Sequence, residues 1–190
     1  MANGTLKVQN IETSSGLGTI TLGQSGETIS VGTTLEMASG KTQKNLLYPT
    51  FLATRSTNQS ISNATHTKIE FDTEVFDEGG YYDNSTNYRF TPLVAGKYFF
   101  TVQAGFENLS GTGHRLVWSF KKNGSFYSIM GEFASNTDSS ADPTWCGSAT
   151  IEMNGTTDYV EAFIYQDTGG AKNIVANANH NKFSAFRIGD

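Results

Sequence analysis

From about residue 46 onward, the chain alternates apolar and polar residues over short runs that are separated by turn residues. A period of two is typical of β-strands that bury one face. The clearest run is "GKYFFTVQAGF" (96–106), where Phe99 would lie on one face and the other face would carry Tyr98, Phe100, Val102, Ala104 and Phe106. No run of ten or more residues shows a helical period. We therefore predict an all-β fold, a sandwich or a jelly roll.

Three further runs support this prediction. "HTKIEFDTEV" (66–75) would form one strand, with a single face made of Ile69, Phe71, Thr73 and Val75. "RLVWSFKKNGSFYSIMGEF" (115–133) has the pattern of a hairpin, because Asn123-Gly124 is a preferred pair for a tight two-residue turn. "KFSAFRI" (182–188) would be the closing strand.

Residues 1–46 differ from the rest of the chain. They contain short units such as "GTITLG", "ETISVG" and "TTLEMA", in which two apolar residues flank a polar one. Such short strands have too few apolar side chains to form a core alone. Two interpretations remain open: a flexible leader, or strands from several chains wound together as an intertwined stem. We predict a β-rich stem or attachment segment over 1–46 and a head over 47–190.

Composition and charge exclude several classes of function. The net charge is −5, and no basic cluster is longer than Lys121-Lys122, so we expect no nucleic-acid partner. No apolar run approaches the ~18 residues of a membrane span, so we expect no membrane insertion. The start lacks the pattern of a secretory signal, which indicates synthesis in a cytoplasm. The lone Cys146 excludes an internal disulfide and a cysteine zinc site.

Candidate chemistry is sparse. None of the histidines lies in a recognisable catalytic motif, so we predict no catalytic residues and no enzyme activity. Acidic residues cluster between 72 and 83. We interpret them as a solvated rim; a cation site built on Asp72, Asp77 and Asp83 is the alternative, although no calcium-loop spacing occurs. A carboxylate pair of a polysaccharide depolymerase is a further alternative.

Aromatic residues in two polar loops are the candidates for ligand contact. Trp145 lies in "FASNTDSSADPTWCG" (133–147), and Tyr81 and Tyr88 lie in "DEGGYYDNSTNYRF" (77–90). Aromatic faces beside Asn, Asp and Ser suit the recognition of a sugar or a protein. The alternative for Trp145 is that it covers the edge of the sandwich.

The order and spacing of the aromatic residues resemble the signature of the C1q-like domain. The matching positions are Phe71, Asp77, Tyr82, Phe90, Gly96, Tyr98, Phe100 and Val102. Two departures are a gap one residue longer before Phe90, and Val102 in place of an aromatic residue. "TFLATRS", "KKNG", "NGTTDYVEAFI" and "FSAFRI" also resemble family strands, and the last supplies Phe183 and Phe186 as expected core positions. The resemblance spans about 47–190.

This resemblance implies a ten-stranded jelly roll, related to tumour necrosis factor, that assembles into a compact trimer. Phe99 would then be an interface residue, since aromatic side chains are enriched at subunit contacts. Some C1q-like heads hold calcium near the threefold axis, so an axial Ca²⁺ is the one cofactor that the resemblance allows here. The partners of the family are diverse, so the fold alone does not define the function.

The segment "GTLKVQNIETSSGLGTITL" (4–22) resembles the N-terminal segments of small tail-fibre and appendage proteins of marine bacteriophages. We therefore expect a homotrimeric virion protein of tail-fibre type. Its stem would contact other virion proteins, and its head would recognise a host surface glycan or protein. A capsid or tail decoration protein and a cell-encoded C1q-like lectin or ligand are the alternatives.

Overall fold

The computed structural model describes residues 48–190, apart from the side chains at 111, 133 and 135–141. The predicted stem over 1–46 lies outside the described residues. The described part forms strands only, and every pair is antiparallel. The strands are β1 (Thr50–Thr54), β2 (Gln59–Ile61), β3 (Thr67–Lys68), β4 (Thr73–Glu78), β5 (Tyr82–Asp83), β6 (Arg89–Phe90), β7 (Gly96–Gly105), β8 (Leu109–Lys122), β9 (Ser125–Ala141), β10 (Thr144–Met153), β11 (Val160–Gln166), β12 (Lys172–Ile174) and β13 (Lys182–Gly189).

Two main sheets form a jelly roll. One has the strand order β10-β7-β13-β1-β4, and the other has the order β5-β6-β11-β8-β9 with β3 beside β11. A small pair, β12-β2, stands apart from them. The chain passes repeatedly from one main sheet to the other, for example from β7 to β8 and from β10 to β11. The predicted all-β jelly roll is confirmed.

The core between the sheets is built from aromatic rings. Phe183 of β13 lies with its ring centroid 5.8 Å from that of Phe120 on β8, and Phe100 of β7 lies at the same distance from Phe120. The alternating face predicted for β7 is buried throughout: Tyr98, Phe100, Val102, Ala104 and Phe106 are all at most 1% exposed. Phe99 is half-buried on the opposite face, as its parity in the strand requires.

The single strand predicted over 66–75 is wrong. The run is divided into β3, which pairs with β11, and β4, which pairs with β1 in the other sheet. Ile69 and Phe71 are buried in the crossing, whereas Val75 is 58% exposed on the edge strand β4. The alternation of buried and exposed residues does not continue from β3 to β4, because the two strands belong to different sheets.

Phe186 does not lie in the core, contrary to its expected position. Phe183 is fully buried, and Phe186 follows it by three residues along β13. Two residues an odd number apart in a strand point to opposite faces. The Phe186 ring is therefore 48% exposed on the outward side of the five-stranded sheet.

The predicted turn at Asn123-Gly124 joins β8 to β9. Both residues have positive φ, 53° and 79°, as a two-residue hairpin of this type requires. This hairpin carries the long strands that form one edge of the six-stranded sheet. Among the described residues, no helix has the length and apolar character needed to cross a membrane.

Candidate functional site

The outward face of the five-stranded sheet carries apolar side chains. Phe99 of β7 and Phe186 of β13 are register partners, and their ring centroids lie 5.6 Å apart. Leu52 of β1 pairs with Phe76 of β4 in the neighbouring row of the same face. Phe76, Phe186 and Ile188 are exposed, and Leu52 and Phe99 are half-buried. We call these five residues the apolar face; it lies where Phe99 was predicted to contact another subunit.

A second exposed apolar group lies on β9, in the other sheet. Phe126, Tyr127 and Ile129 are all about half exposed. Trp145, at the start of β10, lies close to this strand: a Cβ added at Gly131 would come within 2.3 Å of the Trp145 indole nitrogen. Gly131 therefore allows the indole to approach β9. Trp145 lies at this edge and remains 42% exposed, and its contact with a ligand stays a prediction.

Tyr81 and Tyr88 occupy different environments in their loop. The Tyr81 ring packs edge-on against Phe90, with centroids 6.3 Å apart, and lines a cleft of about 300 Å³. Tyr88 has a positive φ of 49° and is half-buried, but it is not among the residues that line this cleft. Trp145 does not line it either. The three predicted contact residues are therefore not brought together around one cleft.

Each of the three candidate cation ligands accepts hydrogen bonds from the protein itself. Asp83 accepts bonds from the backbone N–H groups of Ser85, Thr86 and Asn87, and its pKa is lowered chiefly by the bond from Thr86. Asp77 accepts the backbone N–H of Tyr82 at 2.8 Å.

Asp72, the third of these, accepts the backbone N–H of Ser56 at 2.8 Å. Burial opposes its ionisation, but the hydrogen bonds from Ser56 and Thr73 outweigh burial and lower the pKa. In the part of the chain that the structure describes, no group of three or more His, Cys, Asp or Glu residues could hold a metal ion. Asp77 and Asp83 therefore accept hydrogen bonds from their own loops, whereas Asp72 accepts them from the loop between β1 and β2.

A larger cleft of about 540 Å³ lies beside the loop that connects β10 and β11. Its lining includes Lys122, whose ammonium contacts Asp158 at 2.8 Å and donates to the carbonyl of Glu152 at 2.6 Å. Asp158 also accepts bonds from Asn123 and from the backbone of Asn154. These groups satisfy one another, so the cluster ties the hairpin to this loop.

Sequence reasoning did not select the outward side of β11. Tyr159, which directly precedes the strand, Phe163 and Tyr165 share one parity, and each has a cation over its ring. The intervening residues Val160, Ala162 and Ile164 are buried. The alternation of "DYVEAFIYQ" would have located the rings, whereas the cations come from distant parts of the chain.

Comparison with known proteins agrees with this geometry. The family model described as the C1q domain matches residues 50–183. Murine APRIL at pH 5.0 superposes with a TM-score of 0.54 at 11% identity, covering 74% of this chain and 99% of APRIL. The Eiger TNF of S. frugiperda gives a TM-score of 0.51 at 10% identity, covering 76% of this chain and 93% of that one.

The PRD1 vertex protein P5 aligns with 19% identity over 74% of this chain and 96% of its own, but its TM-score of 0.47 supports no argument. No curated protein matches the sequence. At such low identities the solved structures show the fold alone, and the family model covers most of the head. The chain therefore belongs to the C1q domain family.

Proposed function

We propose that this protein is a homotrimeric bacteriophage virion protein whose C1q-like head binds a molecule on the host surface. The observation that carries the trimer is the apolar face. Exposed rings grouped on one sheet face are typical of interaction surfaces, whereas single exposed apolar residues are ordinary. Phe99, Phe186 and Ile188 would be removed from water when a second copy packs against this face.

The second apolar group, on β9, supports a closed ring of subunits. Contact between the apolar face of one copy and the Ile129 end of the β9 group of the next would join two different surfaces of the same molecule and leave Phe126 beside Lys121. Such head-to-tail contacts generate rings when the rotation closes. A trimer, which is the assembly that the family resemblance implies, satisfies both surfaces in every copy.

The location in the virion rests on residues 4–22, which resemble N-terminal segments of phage tail-fibre proteins. In this proposal the N-terminal segment attaches the trimer to other virion proteins after synthesis in the host cytoplasm. The head is then the part presented to the host, with Tyr81, Tyr88 and Trp145 as predicted contact residues. We assign the head a binding role without catalysis.

Sedimentation equilibrium of the full chain tests the trimer. We expect three chain masses for the wild type and a shift toward one for Phe186→Ser, which places a polar group in the apolar face. Leu93→Ser is the matched control, since Leu93 is also exposed but lies in a loop outside this face. A wild-type protein that sediments as a single copy would contradict the proposal.

Adsorption tests the recognition role. Purified protein should stain host cells and compete with phage attachment. Immunogold labelling of virions should place the protein on the tail; labelling of the capsid would instead favour a decoration protein. Protein that neither stains the host nor competes with the phage would argue against receptor binding.

A further inference from the structure

The outward side of β11 carries one cation beside each of its side chains. The guanidinium of Arg89 lies 4.2 Å from the ring centroid of Tyr159, and the ammonium of Lys121 lies 4.1 Å from that of Phe163. Two more pairs complete the row: Arg115 with Tyr165 at 5.3 Å, and Lys68 with Glu161 at 3.0 Å. We call these eight residues the β11 stripe.

The stripe is locally positive on an acidic protein. Of its four cations, Lys68 faces Glu161 and Arg115 faces Glu132 at 2.6 Å. Lys121 and Arg89 have aromatic rings as neighbours, and among the side chains that the structure describes no carboxylate lies within ion-pair distance of either. A ring attracts a cation without neutralising its charge. The whole chain has a net charge of −5, so this stripe differs in sign from the chain as a whole.

His66 lies near the β11 stripe, and its pKa is affected by the positive charges of the stripe. Its ring lies 4.8 Å from the rings of both Phe126 and Tyr165. Burial lowers the pKa of His66, and the charges of Lys121 and Arg115 lower it further. The charged form of the His66 imidazole is therefore disfavoured beside this stripe.

We propose that the β11 stripe binds a linear polysaccharide that carries carboxylates, such as a uronic-acid polymer. The inference rests on the proposed recognition role and names the ligand class and the binding face. Guanidinium and ammonium groups bind carboxylates through charge-assisted hydrogen bonds. Phe163 and Tyr165 are half-buried, so the part of each ring that its cation leaves open offers apolar surface to the C–H faces of the sugars.

The geometry favours a sugar polymer over a protein partner. Side chains two residues apart along a strand repeat every ~7 Å, so the stripe is a narrow periodic row. A stable protein interface needs about 800 Å² from each partner with an apolar centre. The stripe has cations over its rings, and Phe163 and Tyr165 are only half-buried. This surface fits a chain of alternating charged and apolar groups.

Binding of the full-length protein to immobilised polygalacturonate, with dextran as the neutral polymer, provides the test. Each charge-assisted contact contributes enough that we expect Lys121→Gln and Arg89→Gln each to weaken binding by about tenfold. Lys121→Arg should retain binding because it preserves the charge. Lys172→Gln is the matched control: it removes the same charge from the separate β12-β2 pair.

Three results of this test would overturn the inference. The wild type could bind polygalacturonate no more tightly than dextran, or Lys121→Gln could bind polygalacturonate as tightly as the wild type does. The third is equally tight binding of a polyphosphate, which would show a general polyanion surface. Host-cell staining separates this inference from the proposed function. Staining that persists in Lys121→Gln would contradict the role of the β11 stripe but not receptor binding by the head. Wild-type protein that binds polygalacturonate but stains no host cell would contradict only the receptor role.

Discussion

Gly155, in the loop between β10 and β11, is required by both its backbone conformation and its surroundings. Its φ is +69°, and a Cβ there would come within 2.3 Å of the backbone nitrogen of Ala95. Gly80 also has a φ of +69°, but a Cβ added there would meet nothing within 4 Å. An alanine at Gly80 would therefore have only the energetic cost of the left-handed backbone, whereas an alanine at Gly155 would have that cost and a steric clash.

We predict that Gly80→Ala lowers the free energy of unfolding by about 1–2 kcal/mol, the usual cost of the left-handed conformation. Gly155→Ala should lower it further, because the β10–β11 loop must also move away from Ala95. Urea denaturation of both variants measures the difference. Equal destabilisation by the two substitutions would show that the loop relaxes without cost.

Asp83 makes the stability of its loop depend on pH. Its pKa is lowered by backbone hydrogen bonds, first from Thr86, so the folded state favours the carboxylate. A depressed pKa contributes stability that is complete above the unfolded value of about 3.9 and is lost as pH falls toward the native value. Asp72 and Asp158 shift in the same direction.

We therefore predict that the unfolding free energy falls between about pH 5 and pH 2, and that the fall is smaller in Asp83→Asn. The amide cannot ionise, so the titrating contribution of this site is removed; it also keeps only one acceptor oxygen, so the bonds that Asn87 donates to the second carboxylate oxygen are lost at every pH and lower the whole curve rather than its slope. Urea midpoints measured across the pH series give the comparison. Parallel curves for the two proteins would mean that the Asp83 loop does not contribute.

At the scale of the strands, one turn residue adds side-chain hydrogen bonds between the β8–β9 hairpin and the segment that leads into β11, beyond the pairing of β8 with β11. The Asn123 side chain donates to Asp158 at 2.7 Å and accepts the backbone N–H of Tyr159 at 2.9 Å. Its own backbone N–H donates to the carbonyl of Tyr159. A residue with positive φ therefore closes the hairpin and also binds the start of the next strand of its sheet.

Asn123→Gly separates these two roles, because glycine accepts positive φ but has no side chain to bond. We predict a loss of about 1–3 kcal/mol, because the exposed Asn123 side chain donates a hydrogen bond to the buried carboxylate of Asp158, which the substitution removes. Chemical denaturation measures the loss. Ser125→Gly, at the start of β9, controls for added backbone freedom; an equal effect of both substitutions would contradict a specific role of the Asn123 side chain.

At the scale of the whole molecule, the proposed trimer would make thermal stability depend on protein concentration. Association stabilises the folded state by mass action, so a protein that unfolds to separate chains melts at a higher temperature when it is more concentrated. We predict that Tm rises over a hundredfold range of protein concentration, and that Phe186→Ser reduces this rise. Differential scanning fluorimetry provides the measurement; a Tm independent of concentration would argue for a single-copy head.

Features that depend on residues close together in the chain were predicted correctly, and features that depend on distant contacts were not. The alternation along β7 predicted its buried face, and Asn123-Gly124 predicted its turn, because both depend on neighbouring residues. The prediction for Phe186 was wrong because the family pattern assigned both Phe183 and Phe186 to the core. The two residues are three apart in one strand, so their side chains point to opposite faces. The strand over 66–75 was wrong because its ends join different sheets.

By itself, the sequence determined the fold class, the β7 core face and the turn that joins β8 to β9, since strand period and turn chemistry act over a few residues. Tertiary structure alone decided the composition of the β11 stripe. Its cations come from positions 68, 89, 115 and 121, and only the pairing of distant strands places them beside the residues of one strand. Charge and ring contacts act through space, so their partners depend on the completed sheet.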